Sequence, residues 1–80
     1  MNGTFHLLDL VALTVDLPDH NLYRGQVGTI VEILASGKAF EVEFSDREGH
    51  VYESLGLRPD QMIRLRFEPV IPSDSLASLY

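Results

Sequence analysis

Eighty residues allow one domain and one core, and at this size folding buries only about 60% of the surface the unfolded chain exposes. Twelve acidic residues against six lysines and arginines give a net charge of −6, which disfavours a phosphate backbone held chiefly by Lys and Arg. The absence of cysteine removes disulfides, thiolate metal sites and thiol nucleophiles together. Neither a membrane-length apolar run nor a basic stretch ahead of a signal-type apolar segment is present, so the expectation is a cytoplasmic protein bound to neither nucleic acid nor membrane.

Along the chain, "DLVAL" from Asp9 to Leu13 is too brief for a stable helix and reads as a first strand. A long loop follows, Thr14 to Gly25, whose Pro18, Asp19, Asn21 and Gly25 each suit a turn for a different reason. Gly25 and Gly28 then lead into "TIVEIL", Thr29 to Leu34, where glycine lets the backbone turn or bulge as it enters a strand. Val31 and Ile33 share one face of this strand, and a bulge near the glycines turns Ile30 inward as well.

"ASGK", Ala35 to Lys38, is a tight connection with Gly37 at positive φ. Phe40, Val42 and Phe44 next alternate with Glu41 and Glu43, the period of two of a strand with one buried and one wet face. Ser45 to Gly49 turns the chain into "HVYESL", His50 to Leu55, whose alternation is ambiguous. "RPDQ", Arg58 to Gln61, suits a single helical turn ahead of "MIRLRF", where Ile63, Leu65 and Phe67 alternate with Met62, Arg64 and Arg66 to give a basic outer face.

Five short strands with a 3₁₀ turn before the last predict an all-β, strongly bent antiparallel barrel over residues 1–68, its interior filled by Ile30, Val42, Phe44 and Leu65. Residues 69–80 form a C-terminal tail in which Pro69 and Pro72 bar a central strand. Its apolar residues, Leu76, Leu79 and Tyr80 among them, leave two alternatives: a flexible end, or a tail docked on its own barrel or on a partner.

The stretch "RGQVGTIVEIL", Arg24 to Leu34, resembles the strand-opening signature of small SH3-like barrels, KOW-type modules included, in which paired glycines precede a run of aliphatics. It is also similar to the short barrel subunits that ride on larger redox complexes of photosystems. The longer span from "LLDLV" to "QMIRL", with its blocks "RGQVGT" and "EVEFSD", resembles a bacterial family of small proteins carried as a domain of unknown function. That resemblance implies a small SH3-like β fold and brings almost no function with it. The RNA-binding role of KOW modules does not carry over, since Arg24, Lys38 and Arg47 are outnumbered by neighbouring carboxylates.

Asp19, His20 and His50 are of the right chemical types for a metal site or an acid–base pair, but no ligand spacing ties them together, and a structural or solvent-exposed role is expected. A nucleophile elbow and a phosphate loop opening a helix are both missing, so neither catalysis, nor a cofactor, nor a metal is expected. Tyr23 and Tyr52, with Phe5, could form an aromatic platform beside the long loop, or serve as core edge and oligomer contacts. Arg24 is placed to clamp a loop carboxylate such as Asp46. The expected function is a non-catalytic protein-interaction module, self-associating or an accessory subunit of a larger assembly, with Tyr23, Arg24, Tyr52, Leu76, Leu79 and Tyr80 as its contact surface. The alternative is an immunity- or antitoxin-like inhibitor whose acidic surface docks on a basic partner.

Overall fold

The computed structural model describes residues 5–66. The tail boundary at residue 68, the inward placement of Phe67, and Leu76, Leu79 and Tyr80 lie outside the described residues. Five strands form one antiparallel sheet: β1 (Leu10–Leu13), β2 (Val27–Leu34), β3 (Ala39–Ser45), β4 (Val51–Leu57) and β5 (Met62–Arg64). Their spatial order is β4-β3-β2-β1-β5. Between them stand three 3₁₀ turns, Pro18–His20, Ala35–Gly37 and Pro59–Gln61, the last directly ahead of β5 as its proline implies. The all-β expectation holds. Closure of a barrel does not: β4 and β5 stand at opposite ends of the ladder and make no strand pairing with each other. Proline at the start of the third turn and a β5 of only three residues leave little main chain for a second ladder, and β5 spends its pairing on β1.

The core consists of Val11, Leu13, Leu22, Ile30, Phe40, Val42, Phe44, Leu57 and Met62, with Phe5, Leu17 and Leu55 packed at its margin. Alternation accounts for most of it, since Val11 and Leu13 of β1 and Phe40, Val42 and Phe44 of β3 point to one side of their strands. Leu65 is only half-buried, and the predicted phase of the last strand is inverted: Met62 is buried and Ile63 is 55% exposed. The register with β1 sets this phase. Met62 pairs with the inward Leu13, whereas Ile63 pairs with the outward Ala12, so the apolar alternation taken alone puts the buried face one residue out. On the outer face, Val27, Ala12 and Ile63 therefore lie side by side across three strands.

Gly28 is buried where β2 crosses β3, and a Cβ there would sit 2.6 Å from Val42 Cγ1 and 2.8 Å from the Glu43 carbonyl oxygen. Space is its requirement. Gly25, by contrast, holds φ at +93° and donates its N–H to the Leu13 carbonyl at 2.7 Å. The bulge foreseen at these glycines occurs further on, where Ile30 pairs with Val42 and Glu32 with Glu41, so that Val31 has no partner. Val31 and Ile33, expected to share the inner face, are instead 36% and 46% exposed. The extra residue at Val31 breaks the period of two, and Ile33 ends opposite Phe40 at the open margin of the core.

Candidate interaction surface

The long β1–β2 loop is held by a buried anchor. Leu17 and Leu22 exchange main-chain hydrogen bonds of 2.8 and 3.2 Å around the Pro18–His20 turn, and Asn21 closes that turn in the left-handed region at φ 60°. Asn tolerates this conformation better than most L-residues. Leu22 is thereby driven into the core with no exposed surface, a role its place between Asn21 and Tyr23 in a polar loop did not advertise.

Anchored this way, the loop reaches β4 through two side-chain bridges. His20 Nδ1 donates to Glu53 Oε2 at 2.8 Å, and Gln26 Nε2 donates to Tyr52 Oη at 2.8 Å. The other end of the Gln26 amide accepts the Tyr23 main-chain N–H. One glutamine thus ties Tyr23 to Tyr52, and both phenol rings remain about half-exposed at 47% and 48%. The two tyrosines are legible as a pair in the sequence, whereas Gln26 stands out only through the contact of the loop with β4. Phe5 does not join them; its ring packs on Phe40 at a centroid distance of 5.5 Å.

Arg24, expected to clamp Asp46, is exposed and fixed through its backbone, whose N–H donates to Asp16 Oδ1 at 2.9 Å. Asp46 is occupied locally. Its Oδ1 accepts the main-chain N–H groups of Glu48 and His50, both at 2.9 Å, which is how an aspartate at the start of a turn satisfies the backbone it bends. His20 and His50 are accordingly engaged by different carboxylates, Glu53 and Asp46. Asp19, His20 and His50 are not brought together as a ligand set. Donor atoms of Asp46, Glu48 and His50 do lie within 4.8 Å of one another, but all three residues are exposed and their grouping follows from the tight turn.

Glu32, Glu41 and Glu43 form an acidic row on the outer face of β2 and β3. Glu32 stands directly opposite Glu41, and Glu43 is next but one to Glu41 along β3. Among the described residues the ion pairs engage Asp9, Asp46, Glu53 and Asp60, and none takes a member of this row. Ser54 Oγ donates to Glu41 Oε2 at 2.6 Å.

The family described as Domain of unknown function (DUF4926) matches residues 7–64, well over half of the chain. The chain belongs to this family. The DUF4926 span takes in all five strands and ends with β5, so Tyr23, Arg24, Gln26 and Tyr52 fall inside it, and Leu76, Leu79 and Tyr80 fall beyond it. Neither a curated protein nor a solved structure gives a significant match.

Proposed function

We propose that this DUF4926 chain is a non-catalytic protein-interaction module with an SH3-like arrangement of strands. The meander β2-β3-β4, the return of β5 to pair with β1, the long β1–β2 loop and the 3₁₀ turn before β5 support that arrangement. The observation that carries the function is the pair of half-exposed tyrosines, Tyr23 and Tyr52, held by Gln26 at the junction of loop and sheet. Tyrosine offers a large contact area at small conformational-entropy cost, and two fixed rings make a ready docking point for a partner chain.

Glu32, Glu41 and Glu43, which join no ion pair among the described residues, favour one particular version of this reading, an inhibitor that docks on a basic partner. Affinity capture with the full chain, with Tyr23→Ser and Tyr52→Ser variants, and with a chain ending at Pro69 tests both. A specific partner retained by the full chain and lost by the tyrosine variants is the expected result. Loss only on truncation would move the surface to Leu76, Leu79 and Tyr80, and no specific partner in any form would overturn the module. A steep fall of binding with salt selects the basic-partner version.

A further inference from the structure

The two edges of the sheet are defended unequally. β5 is three residues long and sits between Arg58-Pro59 and Arg66, a short edge with a proline and cations close by. β4 is seven residues long, and between Val51 and Leu57 its only charged residue is Glu53, which His20 engages. Which main-chain groups of β4 meet no partner strand among the described residues follows from the ladder. Ile30 bonds toward the first strand side, donating to Asp9 O at 3.0 Å and accepting from Leu8 N–H at 2.8 Å. Its pair with Val42 is therefore of the non-bonded kind, Val42 turns its main-chain groups to Leu55, and the neighbouring Ser54 and Gly56 direct theirs off the free edge. Among the described residues the Ser54 N–H is served only by the adjacent Glu53 Oε1 at 3.2 Å.

Gly56 supplies an independent indication. The other described glycines are demanded by the fold: Gly25, Gly37 and Gly49 hold positive φ, and Gly28 has no room for a Cβ. Gly56 has neither constraint, since a Cβ there would meet nothing nearer than Leu34 Cδ1 at 3.5 Å. A glycine inside a strand often marks a bulge, a tight bend or a place where another backbone approaches, and the regular register on both sides of Gly56 removes the first. Beside it lies the acidic row, for Gly56 pairs with Glu41 and Ser54 with Glu43. Glu32 opposite Glu41 is a like-charge pair that weakens the sheet, so these carboxylates are not explained by stability.

We propose that β4 receives an extended basic segment of a partner protein as an added antiparallel strand. This rests on the interaction-module reading and names its partner chemistry. Main-chain hydrogen bonds form with Ser54 and Gly56, and lysine or arginine side chains opposite them lie on the outer face. There they stand two strand spacings, about 10 Å, from the Cα atoms of Glu41 and Glu43, within the joint reach of the two side chains. Residues between the cations face the side of Leu55, which is half-buried, and so are apolar. The bulge at Tyr52, between the pairs Phe44 with Glu53 and Ser45 with Val51, ends the docking edge toward the N-terminal side.

The probe is a synthetic peptide of alternating lysine and valine, matched in length to β4, titrated into the isotope-labelled full chain while amide resonances are followed. In the proposed register the lysines carry the main-chain N–H groups that face β4. Methylating the lysine backbone nitrogens keeps every charge yet weakens binding by about tenfold or more, whereas methylating the valine nitrogens leaves it largely intact. Amide shifts centre on Ser54 and Gly56, and E41Q with E43Q lowers both the affinity and its salt dependence. Equal binding of the two methylated peptides would mean capture by charge alone and would overturn strand addition. Shifts confined to Tyr23–Gln26 overturn the β4 site and leave the module reading standing. Absence of binding likewise overturns the β4 site and leaves the module reading to the capture experiment, and β4 amides whose exchange slows with protein concentration would overturn the basic partner in favour of a second copy as the occupant.

Discussion

At the scale of single residues, the glycines separate what the backbone needs from what packing needs. Gly28→Ala forces a Cβ against the Val42 side chain and the Glu43 carbonyl, and such overpacking costs about 1–3 kcal/mol. Gly56→Ala meets only ordinary contacts and removes chain entropy from the unfolded state, so it is neutral or stabilises by up to about 1 kcal/mol. Urea unfolding of the two variants beside the parent checks both signs at once; equal destabilisation would mean that Gly56 also serves the fold. The pairing of Gly25 and Gly28 was legible as a strand entry in the sequence. That one glycine answers to φ and the other to a crossing strand was not, because the second constraint comes from residues fourteen and more positions away.

Among the elements, the β1–β2 loop owes its shape to Leu22. Leu22→Ala opens a cavity under the loop and costs about 2–5 kcal/mol, a large share of what a domain of this size holds in reserve. Accelerated amide exchange at His20 and Gln26 accompanies it if the loop is anchored as described; a loss of stability with an unchanged loop would contradict that anchoring. Strand β2 offers a test of opposite sign. Replacing Glu32 by lysine turns a like-charge pair with Glu41 into an attractive one, and stability rises by about 0.2–1 kcal/mol at low salt, measured by thermal unfolding. Alternation revealed β3 and its buried Phe40, Val42 and Phe44 from the sequence, as both its faces keep the period of two. It misplaced Val31 and Ile63, since a bulge and a neighbour's register, neither of them local, decide which way those side chains face, and it overstated the burial of Ile33, which lies opposite Phe40 yet is 46% exposed.

For the whole molecule, a net charge of −6 on a chain of 80 residues makes repulsion a standing cost. Raising salt from a few millimolar toward about 0.15 M, where the screening length shrinks to roughly 8 Å, therefore raises the unfolding temperature. A fall would show that the surface ion pairs, Arg64 with Asp9 at 3.4 Å among them, outweigh the repulsion. Composition and alternation by themselves determined a small acidic all-β domain of five strands with a 3₁₀ turn before the last, because these depend on neighbours one to four residues apart. The open sheet in place of a closed barrel, the burial of Leu22, the link from Tyr23 through Gln26 to Tyr52 and the place of β4 at an edge of the described sheet were decided only by the tertiary structure. Each depends on which strands meet and in what register, and that outcome is set by the packing of the whole chain.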